Sequence, residues 1–156
     1  MSRGLWEGIA EDYLAYRTSQ TRYLGERLIE AEIPIVEPPG GHAIYLDAQR
    51  FLPHIPPEQF PALSLENALY VEGSIRGVEI GSVMFAHADP ASGEMQYPEL
   101  ELIRLALPRR VYTQRHLDYV VDTLVTLKKR REELRGYRFT YEAPYLRHFT
   151  ARFEML

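Results

Sequence analysis

The segment LELIRLALPRRVYT, residues 100–113, contains the most informative pattern in the chain. Its residues 102–107 form a short apolar run that ends at Pro108, which is typical of a buried strand. Arg104 interrupts this run. A guanidinium stays charged in a protein, and burying it without a partner is costly. We therefore expect Arg104 to meet an anion, which is either a protein carboxylate or the carboxylate of a ligand.

The rest of the chain alternates between helical and extended patterns. Apolar residues at helical spacing predict three helices, over about residues 5–31, over residues 62–71 and between Thr113 and Gly136. Short apolar runs predict six strands, at residues 33–36, 42–47, 75–85, 102–107, 138–141 and 147–153. Helices packed on one face of a small, mostly antiparallel sheet satisfy this order. The sequence therefore predicts a single α+β domain over residues 1–156.

Composition excludes several classes of function. The 156 residues are 46% hydrophobic and 26% charged, as in an ordinary soluble globular protein. The net charge of -4, without a basic block, argues against a nucleic-acid partner. The chain has no cysteine and no apolar stretch long enough to span a membrane. We expect a cytoplasmic protein that binds neither nucleic acid nor a membrane.

Residue chemistry alone indicates only part of a functional site. None of the five histidines forms a pair at the close helical spacing of a metal site, and neither a P-loop nor a nucleophile motif is present. The features that stand out are Arg104, the strand that contains Gly77 and Gly81, and the pair His148 and Phe149. Glycine inside a strand often marks the close approach of a ligand or of another backbone. No nucleophile or general base is evident beside them.

Several motifs resemble those of the β-eliminating lyases and keep their order and spacing over essentially the whole chain. They are LAYR at 14–17, PPGGHA at 38–43, LPHIP at 52–56, QFPA at 59–62, VEIGS at 78–82, IRLALPR at 103–109 and LRHFTA at 146–151. The two well-known branches of this family are the tryptophanases (tryptophan indole-lyases) and the tyrosine phenol-lyases. The match corresponds to the C-terminal third of such an enzyme.

The resemblance implies a pyridoxal-phosphate enzyme of the aspartate-aminotransferase fold, of which this chain would be the small domain. The family reaction removes the α-proton of an amino acid and then expels its β-substituent. In tryptophanases the products are indole, pyruvate and ammonia, and the enzyme uses a potassium ion. Family members are tetramers, so the resemblance also implies a homo-oligomer.

The resemblance also implies roles for individual residues. Arg104 matches the arginine that holds the α-carboxylate of the substrate, a role that suits a planar, bidentate guanidinium. Val78 and Ile80 match apolar residues that border the aromatic ring of the substrate. His148 matches a histidine near that ring, and Phe149 matches the neighbouring aromatic wall.

Two of these positions separate the branches of the family. Tyrosine phenol-lyases carry an arginine where Ile80 stands and a phenylalanine where His148 stands, which favours tryptophan as the substrate here. Residues 108–112 and 150–153, by contrast, are closer to the phenol-lyases. A fragment of a tyrosine phenol-lyase is therefore the alternative within the family.

The parts of the family site that carry the chemistry are not matched by this chain. The lysine that binds the cofactor, the phosphate-binding loop and the potassium ligands belong to the large domain, and the cofactor needs such a lysine. We expect no catalytic, cofactor-binding or metal-binding residue in this chain, which alone should be inactive. Its expected partner is a large pyridoxal-phosphate-binding domain or chain. A non-catalytic binding or interaction module is the alternative outside the enzyme class.

Overall fold

The computed structural model describes residues 2–156. Its helices are α1 (Ser2–Gly8), α2 (Glu11–Glu30), α3 (Ala48–Phe51), α4 (Pro61–Gly73), α5 (Ser82–Phe85), α6 (Gln114–Lys129) and α7 (Arg147–Thr150). Its strands are β1 (Ala43–Asp47), β2 (Val78–Ile80), β3 (His87–Ala88), β4 (Met95–Gln96), β5 (Leu102–Ala106), β6 (Tyr137–Tyr141) and β7 (Arg152–Met155). The predicted α+β class is confirmed.

Strand β5 is the centre of the main sheet, whose order is β1-β5-β2. Both neighbours run antiparallel to it, so that Arg104 lies opposite Tyr45 on one side and opposite Val78 on the other. Two further antiparallel pairs, β3 with β4 and β6 with β7, form separate two-stranded sheets. Every ladder in residues 2–156 is therefore antiparallel.

The longest helices cover one face of the main sheet. Because side chains alternate between the two faces of a strand, Ile103 and Leu105 point to the face opposite Arg104, where both are buried. Helices α2, α4 and α6 pack against this face and complete one apolar core. The fully buried side chains that they supply to it include Leu28, Leu65, Leu69, Leu124 and Leu127. The helices thus leave the opposite face of β5 available for a site.

Helix α6 follows its predicted course from a capped start. Thr113 and His116 form a reciprocal cap, in which the Thr113 backbone N–H donates to His116 Nδ1 at 3.1 Å. The helix ends at Lys129, and a separate 3-10 turn over Arg131–Glu133 follows it before Gly136. The helix is therefore shorter at its end than the sequence pattern indicates.

The helix predicted over residues 5–31 is interrupted. Helix α1 ends at Gly8, and α2 begins at Glu11. Within α2, Leu24 and Leu28 are buried, whereas Tyr16 is exposed, and Ile9 in the interruption is exposed as well. The first half of α2 contacts α1 and, through Tyr13, the guanidinium of Arg109, but its residues lie outside the apolar core, so the periodic pattern continues further than the packed helix.

Three of the predicted strands are also different in the structure. Residues 33–36 form only one bridge, between Ile35 and Leu46, because Pro34 has no N–H to contribute. In residues 75–85 only Val78–Ile80 is a strand, and α5 follows directly. In residues 147–153 the first four residues are α7, and the strand β7 starts at Arg152. His148 and Phe149 therefore lie on a helical turn and not on a strand.

Candidate functional site

Three of the five predicted site residues lie on the open face of the main sheet. Arg104 and Val78 are directly opposite each other in the ladder, and Ile80 is opposite Leu102, two residues before Arg104. Directly opposed residues of an antiparallel pair have Cβ atoms about 4.5–5.5 Å apart. Val78 is exposed, and Arg104 and Ile80 are half-buried. The sheet thus places a cation beside two apolar side chains on a surface that other molecules can reach.

Arg104 has no anionic partner in residues 2–156. None of the ion pairs in this part of the chain includes it, and its buried Nε has no hydrogen-bond acceptor. An unmade hydrogen bond of a buried donor costs about 1–3 kcal/mol, and more for a charged group. Of the two anions that the sequence left open, a carboxylate within residues 2–156 is thus not the partner of Arg104. A ligand carboxylate would supply the missing acceptor in a bidentate geometry.

Two buried glutamates determine how the chain leaves β2. The backbone N–H and the hydroxyl of Ser82 both donate to Glu101 Oε1, with an N···O distance of 2.8 Å for the backbone bond. The backbone N–H of Val83 donates to Glu79 Oε1 at 3.1 Å. These bonds satisfy the first N–H groups of α5, which would otherwise have no acceptor. They also remove these groups from the ladder, which explains why β2 ends at Ile80.

Gly81 allows the two carboxyl groups to approach the same point of the backbone. A Cβ atom at this position would lie 2.4 Å from Glu101 Oε2 and 2.9 Å from Glu79 Oε1. Both side chains are buried, and Oε2 of each lacks a partner. Gly81, which stood out in the sequence, thus allows two acidic side chains to pack against its backbone.

The environment of these carboxyl groups favours their neutral forms. Burial raises the pKa of Glu79 to about 7, and the charges of Glu101 and Glu66 act in the same direction, whereas the bond from Val83 opposes them. Burial likewise raises the pKa of Glu101, against the bonds from Ser82. A neutral Glu79 leaves less negative charge beneath the sheet that carries Arg104.

His148 and Phe149 lie on α7, which packs against α5. Their ring centroids are 4.3 Å apart, His148 is half-buried, and Phe149 is 75% exposed. Within residues 2–156, no hydrogen bond or aromatic contact joins this pair to Arg104, Val78 or Ile80. The structure thus brings together the three sheet residues, and it connects the two residues of α7 to them through α5.

Tyr45, Arg147, Glu79 and Glu101 also belong to this region but were not predicted from the sequence. Alternation along β1 would have placed Tyr45 beside Arg104, since the two residues are opposed in the ladder. Glu101 immediately precedes the apolar run, and an acidic residue at the edge of a buried strand was a usable signal. Arg147 adjoins the aromatic pair, but nothing local indicates that its side chain reaches back to α5.

The chain's own residues do not fit a site that binds pyridoxal phosphate through a lysine. Its two lysines are adjacent, at the end of α6. Lys128 Nζ bonds to Ala31 O at 3.0 Å and to Glu32 Oε2 at 2.8 Å, and Lys129 is exposed. Within residues 2–156, no group of three or more His, Asp or Glu side chains could hold a metal ion. None of the helices described is both long and apolar enough to cross a membrane.

On this α+β scaffold, an arginine without an anionic partner in residues 2–156 thus lies beside an apolar strand face. The sequence model of the family described as beta-eliminating lyase matches residues 7–123, more than half of the chain. This chain belongs to the β-eliminating lyase family, as its motifs indicated.

Relatives from both branches of the family are similar to this chain. A tryptophanase from Salinibacter ruber is 58% identical over 148 residues, which is 95% of this chain and 31% of that protein. A tyrosine phenol-lyase from a Symbiobacterium species is 54% identical over 154 residues, 99% of this chain and 33% of that protein. Another from Nostoc punctiforme is 49% identical over 99% of this chain and 33% of its own length. The chain spans about a third of the length of the relatives that it matches.

Proposed function

We propose that this chain is the substrate-recognition part of a cytoplasmic, pyridoxal-phosphate-dependent lyase that converts tryptophan to indole, pyruvate and ammonia. In this proposal Arg104 binds the α-carboxylate, Val78 and Ile80 border the indole ring, and His148 and Phe149 form the aromatic wall. The observation that carries the proposal is the buried, unpartnered Nε of Arg104 on an open sheet face. The apolar Ile80 beside it suits a ring without a charged or phenolic group.

The cofactor in this proposal belongs to a large domain or chain equivalent to the two-thirds of the relatives that lie outside the match. When bound there, pyridoxal phosphate would act as the electron sink that makes the α-proton acidic. The residues of the present chain would bind and orient the substrate and exclude water from the ring. A potassium ion and a homo-oligomer are part of the same proposal and follow from the family resemblance.

The first test is the chain alone. Because Lys128 is bonded to Glu32 and Lys129 is an exposed residue at the end of α6, we expect the purified 156-residue chain to show no absorbance of bound pyridoxal phosphate and no release of indole. The appearance of both signals would contradict the proposal that the cofactor is bound by a separate large domain or chain.

The second test restores the missing part. A hybrid would join this chain to the portion of the Salinibacter ruber tryptophanase that lies outside the match. We expect this hybrid to release indole from tryptophan faster than phenol from tyrosine. Arg104→Gln should lower kcat/KM by at least about 100-fold, because a bidentate charge-assisted contact is lost. A hybrid that binds the cofactor but acts on neither amino acid would favour the non-catalytic module.

Tyrosine is the second candidate substrate, since several relatives at about half identity over almost the whole chain are tyrosine phenol-lyases. In this proposal, the residues at positions 80 and 148 determine which of the two substrates is preferred. We expect the double substitution Ile80→Arg and His148→Phe in the hybrid to shift its preference from tryptophan to tyrosine. A hybrid that prefers tyrosine before any substitution would replace the first proposal with the second.

A further inference from the structure

Helix α7 has no buried residue of its own, although it carries His148 and Phe149. A four-residue helix is far too short to be stable in isolation. Its orientation must therefore come from contacts with the rest of the chain. The side chain that makes these contacts is Arg147, the first residue of the helix.

The Arg147 guanidinium binds the carbonyl end of α5. Its Nε donates to Val83 O at 2.7 Å, and its Nη2 donates to Ser82 O at 2.8 Å and also to Ala86 O. Its Nη1 donates to Glu142 Oε1 at 2.7 Å. The carbonyls at the end of a helix attract a cation, so α5 offers a matched site, in which Ser82 O also accepts from the Ala86 N–H at 3.1 Å. Only 14% of the Arg147 side chain is exposed, so this network is well shielded from water.

The other end of α5 is tied to the strands that carry the substrate residues. Ser82 donates through its backbone N–H to Glu101, the residue directly before β5, and Val83 donates to Glu79 on β2. A continuous set of hydrogen bonds thus runs from the strand of Arg104, through α5, to Arg147. These bonds thus couple the position of His148 and Phe149 to the position of Arg104.

The backbone before Arg147 adopts a conformation that needs support. Leu146 has φ 51° and ψ 45°, in the left-handed region, although it is not a glycine, and its side chain is 66% exposed. A residue in this region costs about 1 kcal/mol or more and persists only where its surroundings require it. The hydrogen bonds of the adjacent Arg147 can stabilise this left-handed conformation of Leu146.

We propose that Arg147 is a positioning residue that sets the place of His148 and Phe149 against β2, and thereby the discrimination between amino acids with large and small β-substituents. This inference rests on the function proposed above, since it assigns α7 to the ring side of the substrate. Arg147 itself contacts no substrate atom. Its effect is confined to the part of the site that a large ring reaches.

Amide hydrogen exchange in the 156-residue chain tests the structural half of this proposal. The amides of Phe149 and Ala151 are hydrogen-bonded within the α7 turn. We expect Arg147→Gln to raise their exchange rates by at least about tenfold more than those of the amides of Ile103 and Leu105, because the charge-assisted bonds are lost at α7 itself. Unchanged rates at Phe149 and Ala151, or an equal rise everywhere, would overturn the proposal.

Two further variants keep this test decisive. Arg152→Gln is the matched control, because Arg152 is a nearby exposed arginine on β7, and it should leave the amides of α7 unchanged. If Arg147→Gln prevents folding, the same comparison uses Arg147→Lys. Lysine keeps the charge but cannot bond several carbonyls with a planar fork, so the selective rise at α7 should persist.

The hybrid enzyme tests the functional half with two substrates. β-Chloroalanine has the same α-carboxylate as tryptophan, but its β-substituent is a single chlorine atom that does not extend to α7. We expect Arg147→Gln to lower kcat/KM for tryptophan by at least about tenfold and to change that for β-chloroalanine by less than about twofold. An equal loss for both substrates would overturn the proposal. A hybrid inactive on both before substitution would refute the proposed function, and amide exchange would still decide the role of Arg147.

Discussion

Arg104 and Arg147 are two partly buried arginines with opposite surroundings. Arg147 donates to three backbone carbonyls and one carboxylate, whereas Arg104 has a buried Nε without an acceptor. A cation that served only the fold would be expected to have its partners within the fold, as Arg147 does. Within residues 2–156 Arg104 has no such partner, and this contrast supports the proposal that it binds an anionic ligand.

This contrast leads to a prediction about stability. We expect Arg104→Met to leave the free energy of unfolding unchanged or to raise it by up to about 1 kcal/mol, because no acceptor loses a donor. Arg147→Met is the matched comparison and should lower it by about 2 kcal/mol or more, because buried carbonyls lose their bonds. Urea denaturation of the two variants measures both values. A large loss for Arg104→Met would show that Arg104 supports the fold.

Glu79 should make the stability of the chain depend on pH. Its pKa is raised from 4.5 to about 7 in the folded state, so the folded chain retains a proton that the unfolded chain has lost between these values. The resulting stabilisation is fully present below pH 4.5 and is lost as the pH rises through about 7. We therefore expect the free energy of unfolding to fall over this range.

Glu79→Gln should flatten this dependence, because the amide stays neutral at every pH. The difference in slope should approach about 1.4 kcal/mol per pH unit at most, and some slope should remain because the pKa values of Glu66 and Glu101 are also raised. Denaturant titrations at several pH values measure the slopes. The exposed Glu94→Gln is the control, and an equal slope in the Glu79→Gln variant and the wild type would contradict the prediction.

At the scale of elements, the important unit is β2 with α5. The strand is only three residues long, yet it carries Val78 and Ile80, and the helix that follows accepts Arg147 at its carbonyl end. Its geometry depends on the absence of a side chain at Gly81, where two buried carboxyl groups converge. The candidate site is therefore sensitive to packing on the face of the sheet opposite Arg104.

Gly81→Ala tests this dependence. The added methyl group would overlap Glu101 Oε2 and Glu79 Oε1, and both of these side chains are buried. We expect a loss of about 1–3 kcal/mol in the free energy of unfolding, measured from the denaturation midpoint. Gly41→Ala is the control, since nothing lies within 4 Å of the Cβ position there. Equal midpoints for the two variants would contradict the packing argument.

At the scale of the whole molecule, the chain exposes large apolar side chains outside the core. Leu5, Trp6 and Ile9 in and just after α1 are 68%, 73% and 64% exposed, and Tyr145 near α7 is 85% exposed. Clustered exposed apolar residues favour association in water. These exposed apolar side chains support the proposal that the chain associates with a partner domain or with further copies of itself.

We expect the isolated chain to self-associate. Sedimentation equilibrium should give an average mass that rises above 18.1 kDa as the concentration increases. Trp6→Glu should shift the chain toward the monomer, because a charge replaces the largest exposed apolar group of α1. Tyr70→Glu, at an exposed position on α4, is the control and should have little effect. A wild-type chain that stays monomeric at high concentration would refute this prediction.

The sequence by itself determined the α+β class, the strand around Arg104 and the helices with a regular apolar stripe. These features are local, since burial on one side of an element imposes a period of 2 or 3.6 on the residues of that element. The family could also be identified from the sequence, because the order and spacing of its motifs are properties of the chain itself. The predicted extent of the first helix was wrong. An apolar stripe shows which residues of a helix could be buried, but it does not show whether another element covers them.

Only the tertiary structure decided which groups meet. Within residues 2–156, Arg104 has no anionic partner, because the nearby Glu79 and Glu101 lie on the opposite, buried face of the sheet, where their carboxyl groups hold α5. The connection between the aromatic pair and β2 depends on Arg147, whose acceptors lie more than sixty positions earlier in the chain. Such contacts leave no periodic trace in a sequence, because they join residues whose separation along the chain has no relation to their separation in space.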